Sequence, residues 1–165
     1  MSHAADDDRF MARAIALSRR ALDEPGLRPF GAVVVKDGRI VGEGVNAQNG
    51  KHDPTSHGEV EAIRAASAAL ATTDLSGCTL YTSCEPCPMC TAVMHLAGIA
   101  RVVYAAAADD SARAFAAHGR RAGPWPAAEL RAQIAEPIEA RAMPATQLGR
   151  DEATAVIAAF AAGRS

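Results

Sequence analysis

The sequence predicts an α/β fold, and three observations carry that expectation. An apolar run from Gly31 to Val35 leads through Asp37 and Gly38 into a second run from Ile40 to Val45, the pattern of two strands joined by a tight hairpin. A strand, a helix and a strand follow one another between Cys78 and Tyr104, which is a βαβ unit. Helical periodicities stand before, between and after these strands.

In chain order, Phe10, Ala14, Leu17 and Ala21 recur at helical spacing behind Asp6, Asp7 and Asp8, so a helix capped by these acids is predicted from there to Pro25 and Gly26. The first strand is apolar throughout and is expected at the centre of the sheet. Residues 46–56 mix Asn, Gln, Gly, Asp, Pro and Ser without periodicity and read as a loop. Val60, Ile63, Ser67 and Leu70 then return at helical spacing, which puts His57 at a loop-to-helix junction. Residues 78–82 read as a strand, 88–96 as a helix opened by Pro88, and 99–104 as a strand parallel to the previous one through a right-handed crossover. The segment between Thr82 and Pro88 therefore lies at the carboxyl end of a strand, where open α/β sheets place ligands. Alanine dominates beyond Tyr104, with a break at Gly123, Pro124, Trp125 and Pro126 and a last helix after Asp151. The expectation is one domain over residues 1–165, with 150–165 as a C-terminal helix.

Charge and cysteine usage narrow the function. A formal charge of -2 gives no basic field to concentrate phosphates, and the loops at 46–56 and 83–90 hold one basic residue, Lys51, so a nucleic-acid substrate is disfavoured. Three of the four cysteines, Cys84, Cys87 and Cys90, crowd into seven residues, poor spacing for a disulfide framework and natural for a metal site. The acidic N-terminus and the absence of a long apolar stretch lead us to expect a soluble, cytoplasmic protein without membrane contact.

Cys87, Pro88, Met89 and Cys90 open a helix, so the two sulfurs fall one turn apart on one face, where the helix N-terminus favours thiolates. His57-Gly58-Glu59, about thirty residues upstream, supplies a nitrogen ligand and a carboxylate from a second element. An HxE followed by PCxxC is the signature of zinc deaminases. The reason the spacing works is that His57, Cys87 and Cys90 leave tetrahedral Zn2+ one open position for a catalytic water, whose pKa can fall to about 7. Glu59 can stand beside that water without coordinating and move its proton. Cys84 could instead close a structural four-ligand site, and the CxxC pairs could serve a thiol redox protein. Cys78 is read as a buried strand residue, His95 as a packed histidine and Glu61 as solvated surface.

Pro29-Phe30-Gly31-Ala32, Lys36-Asp37-Gly38, Asn46, Asp53-Pro54-Thr55, His57-Gly58-Glu59 and the run from Tyr81 to Cys90 resemble the guanine deaminase branch of the zinc-dependent cytidine/deoxycytidylate deaminase superfamily, over about residues 8–105. That resemblance implies a three-layer α/β/α fold on a five-stranded mixed sheet, a homodimer, and a nucleobase substrate, guanine or a related purine. It implies that Asn46 hydrogen-bonds the ring, that Phe30 contacts its face, and that the backbone near Ala32 and Cys84 holds its edge. It also makes the C-terminal segment a lid or a swapped cover for the partner's site, with Glu152 and Phe160 as its candidates. Three departures bear on the substrate: Gly58 stands where alanine is usual, no clear acidic residue follows Tyr104 in the alanine-rich stretch, and the last helix offers only Phe160 as an aromatic. Cytosine, a triazine, a nucleoside and the tRNA adenosine stay open as substrates, and a non-catalytic structural-zinc module as a different class.

Overall fold

In the computed structural model, which describes residues 3–121 and 125–163, four strands form one mixed sheet in the order β2-β1-β3-β4. They are β1 (Arg28–Lys36), β2 (Arg39–Asn46), β3 (Thr79–Cys84) and β4 (Arg101–Ala106). The helices are α1 (His3–Arg19), α2 (Gln48–Lys51), α3 (Gly58–Leu70), α4 (Pro88–Leu96), α5 (Ala108–Ala116), α6 (Ala127–Ala135) and α7 (Arg150–Ala161). The chain divides into two compact units, Met1–Ala127 and Ala128–Ser165, and the whole sheet belongs to the first.

β1 is central, as its apolar run predicts: it pairs antiparallel with β2 on one side and with β3 on the other. The hairpin turn is Asp37-Gly38, with φ of 49° and 71°, left-handed conformations that match the twist of a two-residue hairpin. β3 and β4 are parallel, with Tyr81 opposite Val103, as the βαβ reading requires.

Alternation along the strands explains the layers. Val33, Val35 and Tyr81 point to one face, where they pack with Phe10, Ala14 and Leu17 of α1. Ala32, Val34 and Leu80 point to the other, against Ala62, Ile63 and Ala66 of α3 and Met94 of α4. The first unit is thus layered α/β/α, with its sheet core fully dry at Val33, Val34 and Leu80. Polar ties add orientation at the rim: Arg13 holds Glu43 of β2 in a bidentate pair at 2.7 and 2.6 Å. Asp7 receives the Tyr81 hydroxyl at 2.6 Å and the Arg101 guanidinium at 2.9 and 2.6 Å.

Two expectations need correction. The sheet has four strands among the described residues, not five. After β4 the described chain is helical (α5, α6), in keeping with alanine's leading helix propensity. Helix α1 begins at His3, so Asp6 to Asp8 lie inside it, and its regular part stops at Arg19, a 3-10 turn continuing to Leu22. Of the break expected at 123–126, Gly123 and Pro124 lie outside the described residues. The second unit holds nearly all of α6, a 3-10 turn at Ile138–Ala140 and α7. No helix among the described residues is long and apolar enough to cross a membrane.

Candidate zinc centre

Two helix starts meet at the carboxyl end of β3. Cys87 is the N-cap of α4 and Pro88 its first residue, where a missing N–H costs nothing and the fixed φ suits a helix. The Thr91 amide reaches back to the Cys87 carbonyl at 2.9 Å, which fixes Cys87 and Cys90 one turn apart. His57 is the N-cap of α3 in extended conformation (φ -84°, ψ 155°), and its carbonyl accepts the first helical bond from Glu61 at 2.9 Å. The loop-to-helix junction predicted for His57 is therefore observed.

These starts bring His57 Nδ1 to 3.6 Å from Cys87 Sγ and 3.4 Å from Cys90 Sγ, with the two sulfurs 3.6 Å apart. Zinc bonds of about 2.3 Å to sulfur and about 2.0 Å to nitrogen, spread tetrahedrally, require edges of about 3.8 Å and about 3.5 Å. The triangle fits the ion. Among the described residues this is the one group of His, Cys, Asp or Glu able to hold a metal. Cys84 is outside it: the thiol faces the Ala107 carbonyl at 3.9 Å, so a closed four-ligand site is not formed. Cys78 is fully buried beside β3, as read, and all four cysteines are free thiols.

Glu59, 5% exposed, lies against Cys90 and carries its carboxyl into this buried corner. Burial raises its pKa, with the neighbouring His57 opposing and the Cys87 thiolate adding to the rise. Cys87 is pushed down to about 4, first by the hydrogen bond from the Cys90 thiol and then, against burial, by His57, while Cys90 is pushed up by the same pairing. Thiolates are the form that binds zinc, so a dication held here would displace the thiol protons.

The loop leading into His57 is tied down by side-chain contacts to α3. Glu61 is not solvated surface. Its side chain is 16% exposed and joins Lys51 at 2.5 Å, Arg64 at 2.7 Å and the buried Ser56 hydroxyl at 3.0 Å. Burial would raise the pKa of its carboxyl, but these three donors bring it below the ordinary value. Glu61 does point away from Glu59, but loop 47–56, which includes the short α2, folds back over it. His95, expected to be packed, is exposed in the last turn of α4, where an imidazole suits the carbonyl end of a helix.

The other predicted residues divide between the units. Asn46 ends β2 and is 2% exposed. Its side-chain Oδ1 accepts the Gln48 backbone N–H and its Nδ2 donates to Gln48 Oε1, both at 3.2 Å. Phe30, half-buried on β1, is brought to the metal ligands by its backbone: a Cβ on Gly58 would stand 2.7 Å from the Phe30 carbonyl oxygen. Ala32 is fully buried in the sheet, in register with Gly44 and Thr82. Cys84 closes β3 opposite Ala106, and its carbonyl accepts the Thr82 hydroxyl at 3.0 Å. Glu152 and Phe160 lie on α7 in the second unit, both exposed. Arg28, Gln48 and Phe115, which the sequence reading did not single out, gather around Phe30 and Asn46. The Arg28 side chain donates to Gln48 Oε1 at 3.3 Å, and the Phe115 ring stacks on Phe30. The position of Arg28 directly before Pro29-Phe30 was the available signal for one of them; nothing in the spacing pointed to Phe115.

Comparison with known proteins agrees with this centre. The model of the cytidine and deoxycytidylate deaminase zinc-binding region matches residues 4–106. Guanine deaminase of Bacillus subtilis (strain 168) is 47% identical over 105 residues, which cover 64% of this chain and 67% of that protein. The tRNA-specific adenosine deaminase of Aquifex aeolicus is 39% identical over 97 residues, 59% of this chain and 64% of that one. The X-ray structure of the Bacillus subtilis guanine deaminase superposes with a TM-score of 0.84 at 36% identity, covering 100% of this chain and 97% of that one. A solved structure in complex with 2,6-diaminopurine gives a TM-score of 0.62 at 30% identity, over 96% of this chain and 83% of that one. With the metal ligands on two helix starts and the family match spanning every strand, the chain belongs to the cytidine and deoxycytidylate deaminase family and carries its zinc site at His57, Cys87 and Cys90.

Proposed function

We propose that the chain hydrolytically deaminates a free nucleobase, guanine or a related purine, exchanging a ring amino group for oxygen and releasing ammonia. The observation that carries the reading is the buried Glu59 carboxyl set against the His57, Cys87 and Cys90 triangle. A structural zinc module gains nothing from a carboxylate there. Bound at the triangle, zinc supplies Lewis-acid activation of water near neutral pH. Glu59 would accept one proton from the attacking water and give it to a ring nitrogen, then take the second proton from the newly formed hydroxyl and give it to the departing amine, so one carboxyl would serve as base and as acid. Asn46, rigid and buried, offers its amide to the ring, and Phe30 offers its face.

The choice of guanine is supported by the extent of likeness. The guanine deaminase structure follows the chain from end to end, whereas a tRNA:A34 deaminase structure covers 61% of it at a TM-score of 0.57. The chain's charge of -2 also suits a small uncharged base better than tRNA. We read the protein as a homodimer in which α7, with Glu152 and Phe160, closes a site as a lid or a swapped segment. Ile157 and Phe160 of α7, 68% and 79% exposed, are apolar groups that a partner surface would cover. The free thiols at the ligand positions fit a reducing, cytoplasmic setting.

The test is ammonia release by the zinc-loaded protein from guanine, guanosine, adenine, cytosine, cytidine and ammeline. Guanine is expected to dominate; dominance of a pyrimidine or a nucleoside contradicts the substrate assignment, and no release from any ring contradicts the reaction.

A further inference from the structure

Beside the zinc ligands, β1 and α5 build a charged aromatic cluster that the proton chemistry of Glu59 does not use. The rings of Phe30 and Phe115 stack with centroids 6.3 Å apart and 25° between their planes. The Arg28 guanidinium stands 5.8 Å from the Phe30 centroid and 5.5 Å from that of Phe115. Arg120 lies 5.8 Å from the Phe115 ring, so that ring is flanked by two cations.

The cluster is anchored to the site at two points. Arg28 Nη1 donates to Gln48 Oε1 at 3.3 Å, the same oxygen that receives Asn46 Nδ2 at 3.2 Å, and Arg28 faces Asn46 across the β1–β2 register. The Phe30 carbonyl packs on Gly58, between His57 and Glu59. Burial makes Arg28 somewhat easier to deprotonate, with the Arg120 charge adding to this, yet a guanidinium keeps its proton throughout the physiological range. A permanent cation is therefore held beside the buried amide of Asn46, partly withdrawn from water and oriented by two rings.

We propose that Arg28 is a specificity-determining residue, which selects rings presenting an oxo or anionic edge to its guanidinium over rings bearing an amino group there. This rests on the nucleobase deaminase reading above. A guanidinium has five N–H donors and no acceptor. An oxo edge pairs with it, whereas an amino edge sets donors against donors beside a guanidinium already partly withdrawn from water. Sites built to hydrogen-bond one substituent reject its mismatched analogue far more strongly than apolar pockets reject a change of size. Phe30 and Phe115 matter because they keep the fork from swinging out to bulk water.

The experiment compares kcat/KM for guanine and 2,6-diaminopurine, which differ by an oxo against an amino group at one carbon. Wild type, Arg28→Met, Arg28→Gln and Arg28→Lys are assayed, with zinc content and circular dichroism as fold controls. The wild type is expected to prefer guanine. Arg28→Met and Arg28→Gln are each expected to lower the guanine to diaminopurine ratio by about 10- to 100-fold, and Arg28→Lys to restore part of it. Loss of packing alone slows both substrates together and leaves the ratio in place. An unchanged ratio in either neutral variant that folds and binds zinc overturns the proposal while leaving the deaminase reading intact. Failure of the wild type to act on either purine overturns the purine reading, and the assignment of Arg28 falls with it.

Discussion

Adding one methyl group at Gly44 should disable the zinc centre from behind. Gly44 lies on β2 under the first turn of α3, and a Cβ built there would stand 2.8 Å from the Glu61 Cβ and closer still to the Gly58 carbonyl oxygen and the Ala62 amide nitrogen. Two of these three are helix backbone atoms, which cannot rotate away. Ordinary carbon contacts sit near about 3.5 Å, so the start of α3 must retreat by about 1 Å. Overpacking of this kind costs typically about 1–3 kcal/mol, or a Tm lower by roughly 3–10 °C in a chain of this size. Because α3 starts at Gly58, the same movement carries His57 and Glu59 away from Cys87 and Cys90. Misplacing a reacting group by about 1 Å can cost about 100-fold in rate. Gly42→Ala is the matched control: its Cβ meets Ala66 at 2.8 Å, one turn further along, so it should cost similar stability with a smaller effect on the site. Thermal unfolding, zinc content and kcat/KM of the two variants read this out. Wild-type stability and activity in Gly44→Ala would refute the claim that close β2–α3 packing sets the geometry of the centre.

Other expectations follow from the same contacts. Cys84→Ser should keep one zinc per chain by metal analysis, because that thiol faces the Ala107 carbonyl, whereas Cys90→Ser should lose most of it; equal losses would return Cys84 to the ligand set. Tyr81 is pushed up to about 12 by burial and by the bond to Asp7, so the stability it lends is whole below about pH 10 and is lost as pH rises toward 12. In Tyr81→Phe that alkaline limb of the unfolding curve should flatten and neutral-pH stability should fall by about 1 kcal/mol; an unchanged limb would show that the hydroxyl is not held as described.

What could be read in advance was whatever rests on neighbouring residues. The Asp37-Gly38 turn, the apolar run of β1, Pro88 at the start of α4 and the His57 junction each depend on a few adjacent side chains, and each is where the sequence put it. The metal triangle was legible because helix pitch fixes Cys87 and Cys90 on one face, leaving a single nearby HxE to complete it. Contacts made by chain folding over itself were not legible. Glu61 looked solvated because nothing local shows that loop 47–56 returns over it, and the pairing of Arg28 and Phe30 with Phe115 spans more than eighty residues. The fifth strand failed for a different reason: family likeness supplied it, while the alanine-rich chain after β4 is helical. Phe160 was named as a lid residue by the same likeness, and on α7 it is 79% exposed.

The most direct measurement is the rate of ammonia release from guanine by zinc-loaded wild type and Glu59→Gln at matched metal content. The amide keeps the shape of the side chain and removes its proton chemistry, so the account predicts full zinc occupancy with kcat lower by about 100- to 10,000-fold. Guanine turnover at the wild-type rate in Glu59→Gln would contradict it.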